Sequence, residues 1–356
     1  MLSGSAAARH YGYSSARAKA LGSKLIDEKT MRDIINAKDV SSIISVLLHG
    51  EFKEDIEEFG GMEIKAELID FALSKNLARN AGKLVHIAPS TERKLIRSIV
   101  GKWDIYNVKL LLEAKEKRQS YEAIARYVID YGRYDSAAIK EAMREDSIEG
   151  LLNKLMINSP YVDIFRDALE TYKKSRSVPD TVAEIDKSYF KSLGGVIVGL
   201  RVIHNESARI IKMDIDMKNI LYMIKAKRAG LKFTEISPMM IERGNMQVHE
   251  LEQIYNGSKD IESMALQIKA YDLKPAVEAY KQSKIKQLLV FEVGLRNAIF
   301  ENSVKLLKHS MLTFGTILAY SYMKEIEIFT LRILINSRIY GLSKDETSRL
   351  IVWKTE

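Results

Sequence analysis

One segment of this chain is stated three times, and that repetition limits the fold more than any other feature. Asp104-Ile-Tyr-Asn-Val-Lys-Leu-Leu-Leu-Glu-Ala-Lys115 returns as Asp216-Met-Lys-Asn-Ile-Leu-Tyr-Met-Ile-Lys-Ala-Lys227 and as Glu327-Ile-Phe-Thr-Leu-Arg-Ile-Leu-Ile-Asn-Ser-Arg338, the copies beginning 112 and 111 residues apart. Each opens with an acid, carries a small polar group three residues on (Asn107, Asn219, Thr330) and closes on a cation (Lys115, Lys227, Arg338). Apolar residues fall at Ile105, Val108, Leu111 and Leu112, at Met217, Ile220, Met223 and Ile224, and at Ile328, Leu331, Leu334 and Ile335. That spacing draws one buried stripe along an α-helix, with the acid and its polar companion on a second face. A closing cation suits a helix C-terminus, which carries partial negative charge.

The period extends upstream. Lys38-Asp-Val-Ser-Ser-Ile-Ile-Ser-Val-Leu47, Asp146-Ser-Ile-Glu-Gly-Leu-Leu-Asn-Lys-Leu155 and Lys259-Asp-Ile-Glu-Ser-Met-Ala-Leu-Gln-Ile268 each pass from capping residues to an apolar run, and an aromatic follows each: Phe52, Tyr161, Tyr271. Ile69-Asp70-Phe71 and Ile185-Asp186-Lys187 also match. A repeat visible at several places implies repeated structure. The expected units are residues 1–125, 126–232 and 233–356, each a short helical hairpin, an aromatic-marked connection and two long helices. Five prolines and few alternating stretches point to an all-α fold. Ser159-Pro160, Ser237-Pro238 and Val178-Pro179 read as helix starts, and Lys173–Ser177 as a loop. Tyr13, Ala16 and Ala20 share a stripe by which a first helix is expected to dock on the core.

A chain of 356 residues with 46% hydrophobic residues can bury a large interior. The net charge of +8 divides as +3, +4 and +1 over the three units, so no unit is a basic module and a nucleic-acid role is disfavoured. With no cysteine, thiol catalysis, disulfides and Cys-zinc sites are excluded. Neither a basic–apolar leader nor an apolar run near the ~18 residues of a membrane span is seen, so the expected membrane association is peripheral. Leu193-Gly-Gly-Val-Ile-Val-Gly-Leu200 lacks the lysine of a phosphate-binding loop, and His249-Glu250 lacks a second histidine four residues after the first. No cofactor, metal or catalytic residue is expected. Asp104, Asp216 and Glu327 invite a paired-carboxylate reading, but an acid recurring once per unit is what a structural polar contact between helices produces.

The opening Tyr13-x-x-Ala16-Arg17-x-Lys19, together with Lys102-Trp-Asp-Ile-Tyr-Asn-Val-Lys109, Asp216-x-x-Asn219-Ile and Tyr320-x-x-x-Lys324-Glu-Ile-Glu327-Ile-x-x-Leu331-Arg332 followed by Gly341-Leu342, resembles the C-type subunit family of archaeal and bacterial A/V-type ATPases, whose eukaryotic V-ATPase counterpart is lettered d. The resemblance covers essentially the whole chain. It implies three similar helical units packed as a pseudo-threefold funnel, a non-catalytic socket between the rotating central stalk and the membrane proteolipid ring. Its implied partners are the stalk proteins and the ring, at the cytoplasmic face. Arg17, Lys115, Lys227, Arg332 and Arg338 are the candidate partner-binding cations. The chain departs from the family pattern at Glu113 and Lys225, where arginine is usual, and at Glu242-Arg243-Gly244, where a Gly-Gly pair is expected. The rival reading is a helical scaffold or adaptor, one associated with nucleic acid included, unrelated to rotary motors.

Overall fold

In the computed structural model the described residues are 4–65, 68–89, 92–195, 198, 205–283, 287–310 and 312–352, and among them there are helices and turns but no strand. Much of the glycine-containing run after Leu193 (residues 196, 197, 199 and 200) and His204 lie outside them. The fold is all-α. Contacts group the chain into two compact units, one of Met1–Glu57 with Ile197–Glu356 and the other of Glu58–Val196.

The unit Glu58–Val196 is built on the helix Lys102–Glu116, the first signature helix, which buries Ile105, Val108, Leu111 and Leu112 as its spacing requires. Beside it lies Val178–Ser192, and an ion pair of 2.7 Å joins Lys109 to Asp186, the acid that the repeat pattern singled out. Val162–Ser175 and Val178–Ser192 form a helical hairpin. The expected loop at Lys173–Ser177 is shorter than its polarity implied: the helix runs through Ser175, and the reversal needs only Arg176 at φ 55 and Ser177, whose hydroxyl accepts from Asp180 N–H. Ser159 does not cap a helix. Its hydroxyl accepts from Tyr161 N–H, and the helix starts at Val162.

In the other unit the second and third signature helices are longer, Asn205–Ala229 and Gly315–Ile339. Leu289–His309 packs against both. It carries Arg296, which is held between Glu292 (2.9 Å) and Glu325 (3.4 Å) and stacked 4.3 Å from the Phe329 ring, while Tyr322 donates its hydroxyl to Asp214 at 3.0 Å. Ser237–Met239 is a single 3-10 turn, too short to be the helix start expected there.

The helix Gly4–Gly22 docks on the third signature helix by a face other than the expected one. Tyr13 is 64% exposed, and Ala16, Arg17 and Ala20 are exposed too. The buried face is Tyr11, Ser14, Ser15, Ala18 and Leu21. Its serines are accommodated because Ser15 Oγ finds Thr313 O (3.4 Å) and the Thr316 hydroxyl (3.2 Å). Gly22 lets Leu307 approach to 2.8 Å of where a Cβ would stand. A satisfied hydroxyl on a close-packed face costs little, so hydropathy alone misassigned the stripe.

Candidate functional site: a polar clamp made three times

The short helices ahead of the aromatics start where the capping residues implied. Asp39 accepts from Ser42 N–H, Ser147 from Gly150 N–H and Asp260 from Ser263 N–H, each satisfying an otherwise orphaned first-turn donor. What holds these segments is the polar face of a signature helix.

Asn107 Nδ2 donates to Ile129 O (2.7 Å) and Tyr134 O (2.8 Å), while Ile129 N–H donates back to Asn107 Oδ1 at 2.9 Å. Asp104 accepts from Tyr134 N–H (2.7 Å) and from the Tyr161 hydroxyl (2.9 Å), and Lys115 Nζ donates to Met143 O at 3.0 Å. One period later the contacts recur. Asn219 exchanges two hydrogen bonds with Ile241 at 2.8 Å, Asp216 accepts from Asn245 N–H (3.1 Å), Met246 N–H (3.2 Å) and the Tyr271 hydroxyl (2.6 Å), and Lys227 Nζ donates to Tyr255 O at 2.8 Å. The asparagine reaches 22 residues ahead, the acid 30 and the lysine 28 in both copies. The clamped loop must come close: a Cβ on Gly132 would lie 2.5 Å from Asp104 Oδ1, and one on Gly244 would meet Asp216 Oδ1 closer still.

The third clamp is split between two stretches of chain. Thr330 Oγ1 donates to Val352 O, again 22 residues ahead, at 3.5 Å. Glu327 instead accepts from Ile26 N–H at 2.6 Å, 301 residues away, and Arg338 donates to Ala37 O (2.8 Å) and Ile35 O (2.6 Å). Phe52 holds the place of the tyrosines in the repeat and has no hydroxyl. Lys324, one helical turn before Glu327, supplies the donor at 2.6 Å, pairs with Glu51 at 3.2 Å and lies 4.2 Å from the Phe52 ring centroid.

All six signature residues are therefore buried and bonded: Asp104, Asn107, Asp216, Asn219, Glu327 and Thr330. Burial raises the Asp104 and Asp216 carboxyls above the ordinary range, outweighing the hydrogen bonds that lower them. Burial also pushes the Tyr134 hydroxyl up to about 12 and raises Tyr161 and Tyr271, the latter two further because each faces a carboxylate. Each acid thus serves as an acceptor for main-chain N–H groups or a phenol. Among the described residues no group of three or more His, Asp or Glu is arranged to hold a metal.

The five cations separate. Lys115, Lys227 and Arg338 hold carbonyls at the C-terminal ends of Ser136–Ala142, Val248–Gly257 and Glu28–Asn36, where the helix dipole favours positive charge. Arg332 is half-buried with its Nε out of contact with solvent. Arg17 is exposed, beside Tyr13. The departures Glu113 and Lys225 are both exposed, and Arg243, where a glycine was expected, sits at φ 72 in the left-handed region. Sequence reasoning quoted Lys324 and Gly244 without giving either a role, and missed Gly132. The signal was present, since Gly132-Arg-Tyr134 and Gly244-Asn-Met246 keep the period of the signature.

Residues 14–350 match a family model described as ATP synthase (C/AC39) subunit. Among curated relatives, the C-type subunit of the A-type ATP synthase of Thermoplasma acidophilum is 22% identical over 95% of this chain and 97% of its own. That of Methanosarcina acetivorans is 25% identical over 94% and 90%, and that of Methanocaldococcus jannaschii 23% over 96% and 86%.

Proposed function

The chain belongs to the ATP synthase (C/AC39) subunit family, and from that premise we propose that it is the non-catalytic socket joining the rotating central stalk of an A-type ATP synthase to the membrane proteolipid ring. The observation that carries this is the family match over nearly the whole chain. The clamps support it. A part that transmits torque must not yield, and each clamp ties a loop to a helix through buried hydrogen bonds in a close-packed interior. The carboxylates that invited an acid/base reading are occupied in this work. No helix among the described residues is long and apolar enough to cross a membrane, in keeping with a part that meets the ring from outside.

In this reading the chain forms three units, residues 1–125, 126–232 and 233–356, in a pseudo-threefold funnel at the cytoplasmic face, each clamp fastening the signature helix of one unit to a segment of another. Arg17, with the exposed Tyr13, meets a partner protein directly. Lys115, Lys227 and Arg338 contribute through the helix ends they secure, and Arg332 contributes from its half-buried place on the third signature helix. Co-purification tests the role: a tagged chain drawn from gently solubilised membranes brings the stalk proteins and the ring with it, and Arg17→Glu weakens that recovery. Recovery of an intact motor that lacks this chain would overturn the proposal.

A further inference from the structure

All three signature helices end in the same backbone turn. The N–H groups of Gln119, Leu231 and Leu342 return to the carbonyls of Ala114, Ala226 and Ser337 at 2.8, 3.0 and 2.9 Å, and the residue before each is left-handed. In the second and third copies that residue is Gly230 at φ 73 and Gly341 at φ 66, whereas in the first it is Arg118 at φ 53. A side chain is strained in that conformation, and strain of this kind gathers at binding sites. Arg118 lines a hollow of about 680 Å³ within the unit Glu58–Val196, together with Lys115, Lys140, Arg144 and Asp146, the single acid among the described residues lining it. In the second copy, Phe233 and Tyr255 come 112 residues after Tyr121 and Met143 of this wall and are buried, their ring centroids 5.6 Å apart, with the Tyr255 hydroxyl on Leu231 O at 2.6 Å. Tyr121 and Met143 are only half-buried. Lys115 is committed to Met143 O, but Arg118 and Lys140 make no ion pair among the described residues. Arg144 is paired with the exposed Glu141, a contact that solvent screens. The helix Ile148–Met156 starts at the same hollow through Ser147 and Ile148, so its partial positive end adds to the cations.

We propose that this hollow binds a small phosphate-bearing anion of multiple negative charge, held by Arg118, Lys140 and Arg144 beside the start of Ile148–Met156, with Tyr121 and Tyr172 flanking its uncharged part. A free phosphate ester and a phospholipid headgroup offer that chemistry alike. The inference stands independently of the rotary role. Two measurements on the full chain test it: calorimetric titration with inorganic pyrophosphate, and co-sedimentation with vesicles of phosphatidylglycerol or of phosphatidylcholine. Pyrophosphate is expected to bind saturably, one per chain, and Arg118→Gly and Lys140→Ala are each expected to weaken it about ten-fold. Arg118→Gly is expected to do so with an unchanged or raised melting temperature, because glycine relieves the left-handed strain, so that lost binding is not lost folding. Lys94→Ala, which removes an exposed lysine elsewhere in the same compact unit, is expected to leave binding unchanged. Sedimentation with phosphatidylglycerol but not phosphatidylcholine, abolished by the same two variants and without pyrophosphate binding, would assign the site to a headgroup. Absence of binding to both pyrophosphate and phosphatidylglycerol would overturn the proposal. So would binding that Arg118→Gly and Lys140→Ala leave intact, or a loss shared equally by Lys94→Ala.

Discussion

In the second clamp Tyr271 gives its hydroxyl to Asp216, whereas in the third the matching aromatic is Phe52 and the donor is Lys324, three residues before Glu327 on the same helix. The residues at that i−3 position in the first and second helices are Gly101 and Met213. Gly101 is required to be small, because a Cβ there would lie 2.5 Å from the Tyr161 hydroxyl. The comparison teaches that the repeat preserves an accepting carboxylate with its donors, while the side chain that supplies the donor can move from the clamped segment to the clamping helix. It also separates two kinds of grip. The contiguous clamps use an asparagine that bonds backbone in both directions, and the split clamp uses a threonine at 3.5 Å, near the limit of a hydrogen bond.

The sharpest way to break this comparison is to remove the small polar residue from each kind. Asn107→Leu orphans a buried N–H and two carbonyls and is expected to cost about 3 kcal/mol or more, whereas Thr330→Val is expected to cost no more than about 1 kcal/mol. Chemical denaturation measures both, and similar losses would erase the distinction. Next in size are the phenols: Tyr161→Phe and Tyr271→Phe each remove a hydrogen bond to a carboxylate, worth about 1.5–3 kcal/mol. Phe52→Tyr is expected to bring no gain, because Lys324 already fills that role, and a clear gain in melting temperature would contradict it.

A third comparison uses pH. Because burial raises Asp104 and Asp216, the folded chain keeps these protons at pH values where the unfolded chain has released them. Stability from these groups is therefore present below the ordinary carboxylate pKa and is lost as pH rises through the raised values. Asp104→Asn and Asp216→Asn are each expected to remove part of that slope at some cost to stability, because the amide oxygen still serves Tyr134 N–H or Met246 N–H while the amide nitrogen cannot accept from the second backbone donor, Arg133 or Asn245. Thermal melts across the acidic range, an unchanged slope in both variants being the adverse result, decide this. The smallest effect concerns Arg243: its left-handed conformation suits glycine, so Arg243→Gly is expected to raise stability by up to about 1 kcal/mol.

The signature helices and the caps at Asp39, Ser147 and Asp260 were legible in sequence because each depends on residues three or four apart, as was the recurrence at a period of about 111, whereas the helix starts read at Ser159-Pro160 and Ser237-Pro238 were not borne out. The clamped partners were not, because most are backbone groups, which no side chain announces. Glu327 and Ile26 were the hardest to pair, since only tertiary closure brings residues 301 apart together. Tyr161, Tyr271 and Phe52 were visible as a periodic aromatic, but the lost hydroxyl at Phe52 gained meaning only beside Lys324. The buried face of the first helix was misread because Ser14 and Ser15 look solvent-facing until their surroundings are known. The three signature-end cations were identified as a set, yet the carbonyls they hold belong to helices whose ends the sequence marks poorly.

The central claim, that this chain couples a motor without catalysing its reaction, is tested most directly by measuring ATP hydrolysis and ATP-driven ion uptake in the same vesicles, with the complex rebuilt with and without this chain. The account predicts that omission abolishes uptake while the remaining catalytic proteins still hydrolyse ATP. Uptake that survives omission, or hydrolysis lost from an otherwise intact catalytic head, would contradict it.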